Sequence, residues 1–159
     1  MLAGQADAAV VYIDSWLELE QQTDDLRNLG YVADLIPDLP SRLWYGDDTF
    51  LSENPEMALA MACATLNANA WIQNDKDDFI AFTEEEVEGV SPDAVGAFYD
   101  VAMDIGMYPT DPDAVVDIDA LQKLNDLMVT NGDIDEAVDL DDIVDMSYLE
   151  EAAEMGCGA

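Results

Sequence analysis

The alternation of apolar and polar positions divides the chain into a mixed first third and a helical remainder. Ala6 to Ile13 form a compact apolar run, AxAAVVYI, with Asp7 as its one charge and Gly4 just before it. Such a run, followed by a helix signal, predicts a strand buried on both faces. Ser15-Trp16-Leu17-Glu18 has the spacing of a capping box and predicts a helix to about Arg27. Gly30 closes that segment, Tyr31 to Ile36 predict a second strand, Pro37 and Pro40 bracket a loop, and Arg42 to Gly46 (RLWYG) predict a third short strand.

From Asp47 onward the period changes from 2 to 3.6. Asn54 followed by Pro55 is a cap with proline at the first helical position, where no backbone donor is wasted. Met57, Ala60, Met61, Ala64, Ala68 and Trp71 then recur at helical spacing. Asn74 or Asp75 starts a helix through Phe79, Ile80 and Phe82. Ser91-Pro92 repeats the cap-and-proline device, with Val95, Phe98, Val101, Ala102 and Ile105 as the apolar stripe and Gly106 as the stop. MYPTDPD is a loop. Asp117 caps a helix through Ile118, Leu121, Leu124, Leu127 and Met128 to Asn131-Gly132, and one or two short helices follow from Asp139. The fold class expected is α/β, predominantly helical, with a few short strands in the first third; residues 1–46 form the strand-helix-strand segment and residues 47–159 the helical part.

Charge changes the picture. The 159 residues contain 37 Asp and Glu against four basic residues (Arg27, Arg42, Lys76, Lys123) and no histidine, a formal net charge of −33, while half the residues are hydrophobic. An apolar content of that size excludes a disordered acidic tail. Nucleic acid and anionic membrane surfaces are disfavoured, since the long-range field repels phosphate. The acids are spread along the whole chain, the pattern of a halophilic surface: at molar salt the Debye length is roughly 3 Å, which screens the self-repulsion. An EF-hand loop needs glycine at its sixth position. Counted from Asp133 that position is Val138, and from Asp111 it is Val116, so the acidic clusters read as solvated faces and helix caps, and no metal site is expected.

Candidate chemistry is sparse. Without histidine a Ser-His or Cys-His nucleophile is excluded, carboxylate pairs are too numerous for one to stand out, and neither GxGxxG nor GxxxxGK[ST] occurs. Nothing argues for an enzyme or a cofactor. Cys63 falls in an apolar helical pattern and is expected as a small core residue, and Cys157, in the terminal GCGA, as exposed and loose. No apolar stretch approaches the roughly 20 residues that span a bilayer. Tyr12, Trp16, Trp44 and Tyr45 cluster around the predicted strand ends, where they either line a small-ligand site or serve as ordinary core. Arg42 either holds an anion bidentately or pairs with Asp47 or Asp48.

Four stretches, in order, resemble the C-terminal part of ABC-transporter solute-binding proteins of the nitrate/sulfonate/taurine and thiamine-pyrimidine-precursor group: LAGQADAAVVY, DDTFLSENPEMALAMACATLNANAWIQND, GMYPTDPD and VDLDDIVDMSYLEEA. The resemblance covers roughly residues 1 to 153. It implies a partial two-lobed periplasmic-binding-protein-like fold, with residues 6–13 in the second lobe, residues 31–46 as the return crossing and the helices on the first lobe. The export signal and about half of the cleft would then be missing, Met1 being a shortened start. The resemblance implies a ligand-binding role for Tyr12, Asp14 and Trp16, in the loop after the first strand, and for Trp44 and Arg42 near the return crossing. In that loop the family often has a Trp-Glu-Pro-like sequence, whereas this chain reads Ile13-Asp14-Ser15; an acid at 14 suits an aminopyrimidine or amine better than nitrate. The implied partners are a small-molecule solute and an ABC permease. The family is extracytoplasmic or anchored at the cell surface; this chain, read without a signal, would stay cytoplasmic. The competing expectation is a stand-alone acidic helical interaction protein acting as a homodimer.

Overall fold

The structure, a computed structural model, describes residues 6–35 and 43–159. Its elements are α1 (Ile13–Gln22), α2 (Val32–Leu35), α3 (Asp48–Glu53), α4 (Pro55–Asn74), α5 (Lys76–Glu86), α6 (Pro92–Asp104), α7 (Pro112–Val115), α8 (Ile118–Asn131), a 3-10 turn at Leu140–Asp142 and α9 (Ser147–Glu154). Among the described residues there is no strand.

That overturns the α/β expectation. Residues 6–12 are irregular and exposed, with Val10 at 89% and Tyr12 at 79% accessibility. A β-branched run makes a strand when a neighbouring strand takes its backbone groups and a packed face takes its side chains, and the described residues supply neither. Val32–Leu35 turns once as helix, not strand, and Asp34 accepts a bond from the Tyr31 amide at 3.3 Å. Leu43–Gly46 has no regular structure; Ile36, Pro37, Pro40 and Arg42 lie outside the described residues. Helix α1 starts at Ile13, ahead of the predicted Ser15 box, and stops at Gln22, where Thr23 is extended. Past that point the Thr23 hydroxyl accepts the Asp25 amide at 3.1 Å, the local side-chain competition that disfavours helix.

The later helices begin and end for local reasons. Asp47, Asp75, Asp111, Asp117 and Asp139 each accept backbone amides at an N-terminus, and Ser91 does so for α6. Each such cap is worth about 1 kcal/mol, so part of the acid surplus sits where a helix start needs an acceptor. Gly106 (φ +64°) and Gly132 (φ +78°) supply the left-handed residue that ends α6 and α8. The next amide then reaches back, Met107 to the Ala102 carbonyl at 2.9 Å and Asp133 to the Met128 carbonyl at 2.8 Å.

The chain divides into two compact units: the described part of Met1–Leu29 with Asp75–Met107, and the described part of Gly30–Asn74 with Tyr108–Ala159. In the first, α1 and α5 pack on α6, whose Ala94, Val95, Tyr99 and Ala102 are buried. The Phe79 ring lies 6.5 Å from Phe98 and 5.4 Å from Tyr99, centroid to centroid. Lys76 bonds Asp100 at 2.6 Å and sits 5.7 Å from the centre of the Tyr99 ring.

In the second unit α9 packs on α4, with Ala62, Leu66 and Ala152 at the centre and Leu59, Tyr148, Leu149 and Val115 around them. Cys63 and Cys157, 94 residues apart in sequence, are joined in a disulfide with Cα atoms 5.2 Å apart. The expectation of one core thiol and one loose thiol is therefore wrong: sequence separation says nothing about distance once α9 lies along α4. The Asn67 side chain secures the same end of the chain, accepting the Gly158 amide at 2.8 Å and donating to the Cys63 sulfur at 3.4 Å. Gly158 (φ +83°) lies so close to α4 that a Cβ there would meet the Leu66 Cβ at 3.0 Å.

Candidate functional site

Three of the residues expected to bind ligand stand at the start of α1. Tyr12 occupies its N-cap position, and its carbonyl takes the Trp16 amide at 2.9 Å. Asp14, in the first turn, accepts the Ser15 amide at 2.8 Å. Trp16 is half-buried. Tyr12 and Trp16 are four residues apart and share one side of the helix, but Tyr12 is largely exposed, whereas ligand pockets enclose their aromatics. Trp44 belongs to the other unit, 75% exposed, next to Tyr45 at 98%. Arg42 lies outside the described residues. The structure thus brings Tyr12, Asp14 and Trp16 to one helix end and encloses none of the described candidates.

A depression that the sequence did not point to lies one turn further along. Glu18, Gln21, Gln22, Gly89 and Ser91 line an open hollow of about 270 Å³ between α1 and the turn before α6. The Ser91 hydroxyl donates to the Gln21 side-chain oxygen at 3.2 Å while accepting the Ala94 amide. Asp14, four residues before Glu18, lies on the same side of α1 but does not line the hollow. Its side chains are polar, although apolar atoms make up about half of the surface they present; it holds no aromatic side chain, and its volume falls just under the usual range for a ligand pocket. A small molecule with several donors is the chemistry it suits.

In the second unit the segments remote in sequence are locked by side-chain amides. Asn69 of α4 donates to the Pro109 carbonyl at 2.6 Å, and Gln73, one turn on, donates to the Tyr108 carbonyl. The GMYPTDPD loop is thereby fixed to the end of α4. Asn125, buried in α8, donates to the Val138 carbonyl at 2.6 Å and accepts the Val138 amide at 3.0 Å, which pins the segment leading into the 3-10 turn. These clamps carry no periodic signal, since Asn69, Gln73 and Asn125 are not distinguished in sequence from the other polar residues of α4 and α8.

Among the described residues no group of three or more metal-ligating side chains converges, and no helix is long and apolar enough to cross a membrane. Comparison of the chain with protein-family models, with curated proteins and with solved structures gave no match in any of the three.

Proposed function

We propose that this chain is the C-terminal portion of a solute-binding component of an ABC-type importer, a binding protein without catalytic activity. The observation that carries the reading is how three of the four family-like stretches meet. DDTFLSENPEMALAMACATLNANAWIQND supplies α3 and α4, GMYPTDPD is the loop tied to it through Asn69 and Gln73, and VDLDDIVDMSYLEEA supplies the 3-10 turn and α9, which packs on α4. Stretches recognised separately in sequence form one interlocked unit.

The Cys63–Cys157 bond adds support of a different kind. Structural disulfides persist in oxidising compartments and are rare in reducing ones, which favours the extracytoplasmic setting of the family over the cytoplasm. The −33 charge with an ordinary apolar content suits a molar-salt exterior. Asp14, Glu18 and the neighbouring amides favour an amine-bearing or aminopyrimidine solute over nitrate. Tyr12, Asp14 and Trp16, at the start of α1, remain the residues proposed to contact it, and with none of them enclosed the chain by itself binds solute weakly or not at all.

The absence of strands among the described residues favours one second reading, an all-helical acidic interaction protein. The gene's surroundings separate the two. An adjoining permease gene and ATPase gene are expected for the importer; a locus lacking both would sink that reading and leave the interaction protein.

A further inference from the structure

Helix α4 is the exception to the acidity of this molecule. From Met57 to Asn74 it contains no charged side chain, although Glu56 and Asp75 stand at its two ends. One face of it, through Leu59, Ala62, Cys63 and Leu66, is covered by α9 and the disulfide. On the opposite side Met57, Ala60, Met61, Ala64 and Ala68 are all exposed, Met57 at 55% and Met61 at 45%. An apolar stripe of this width is one that a globular fold normally buries.

We infer that the uncovered face of α4 pairs with the same face of a second copy, antiparallel about a two-fold axis at Ala64. Electrostatics select this occupant. Every described helix displays at least one carboxylate, but on α4 it is Glu56 in the first turn, and the Met57–Ala68 stripe itself carries none, so two molecules of charge −33 approach at least cost along that stripe. A cationic partner would be drawn to the acidic faces and would gain nothing on α4. The pattern is also self-complementary, as a two-fold interface requires: with Ala64 on the axis, Ala60 of one copy faces Ala68 of the other. The three alanines, one per turn, let the backbones approach, and Met57 and Met61 supply flexible apolar cover.

The stripe spans roughly 17 Å at 1.5 Å per residue, well short of the roughly 800 Å² per partner of a standard interface. The pairing is therefore weak and salt-dependent, appearing when molar salt screens the repulsion of the remaining surface. It does not depend on the importer reading.

Sedimentation equilibrium of the full oxidised chain across a concentration series, in dilute buffer and in molar KCl, tests it. The mass is expected to stay that of the monomer in dilute buffer and to rise toward twice that value in molar KCl. Ala64→Glu, which sets two carboxylates face to face on the axis, should weaken the association at least tenfold. Gln122→Glu, a matched charge on the exposed side of α8, should leave it unchanged, and far-UV circular dichroism should report both variants as folded as the parent. A monomer at every concentration in molar KCl would overturn the inference and leave the face to a different partner. A dimer that Ala64→Glu leaves intact would overturn it too, by placing the interface elsewhere.

Discussion

The two units are of similar helical make-up but are held by different means. The unit of α1, α5 and α6 relies on a ring cluster (Phe79, Phe98, Tyr99) and a half-exposed Lys76–Asp100 pair. The unit of α4, α8 and α9 has a disulfide, an asparagine that secures the last residues, and three amide clamps on loop carbonyls. In a chain this acidic the difference has weight. Covalent bonds and neutral side-chain amides owe nothing to ionic strength, whereas an exposed ion pair weakens as salt is added. The second unit is built to be indifferent to salt except through general repulsion, and the first is not.

Reduction should collapse that contrast most strongly. Opening the Cys63–Cys157 bond, or replacing both residues by serine, releases a loop of 94 residues, for which chain entropy suggests a loss of about 4–5 kcal/mol. Native-state amide exchange in α4 and α9 should accelerate while α5 and α6 stay as protected as before; equal acceleration in both units would refute the division. Leu66→Ala, at the one large fully buried side chain among the described residues, should cost about 3 kcal/mol by denaturant melting, with the loss again confined to the second unit. Asn125→Ala strands the amide and carbonyl of Val138 and should cost roughly 1–3 kcal/mol, read as faster exchange around Val138.

Smaller effects probe the first unit. Gly96→Ala would place a Cβ 3.4 Å from the Ile80 Cδ1 and 3.7 Å from the Lys76 Cε, ordinary contact distances. The gain in helix propensity should then show as a stabilisation of up to about 1 kcal/mol, and a loss on thermal melting would mean that α5 packs too tightly on α6 at Ile80 for a methyl group to enter. Lys76→Met should cost under about 1 kcal/mol in dilute buffer and nothing measurable in molar KCl, because both partners are well exposed; an equal cost at both salt levels would show that the lysine acts through packing on Tyr99 instead.

Legibility in the sequence followed the range of the physics involved. The caps at Ser91-Pro92 and Asp117, the proline at position 55 and the stops at Gly106 and Gly132 are decided within one turn of backbone, and α4, α6 and α8 lie where those signals put them, although the Asn54 side chain donates to the Phe50 carbonyl of α3 and does not cap α4. The strands failed because an apolar β-branched run becomes a strand only in company, and nothing local says whether company exists. The disulfide was missed for the same reason, being a contact across 94 residues. On α4 the pattern gave the stripe of Met57, Met61 and Ala64 but not the direction it faces, because a helix uncharged all round has no polar side to orient it. Of the proposed binding residues, sequence put Tyr12, Asp14 and Trp16 around a loop after a strand, whereas they stand at the start of α1; the hollow at Glu18 and Ser91 required two elements to meet.

The five aspartates at helix starts separate two properties that acidity usually joins. Each acts through an oxygen that accepts backbone amides, and asparagine offers an equivalent oxygen at nearly equal worth. What asparagine lacks is the attraction of a full negative charge to the helix dipole, a few tenths of a kcal/mol that salt removes. In brine, then, the charge on these residues serves solvation and the oxygen serves folding. A protein designer could exchange all five, lower the charge density, and keep every helix beginning where it begins now.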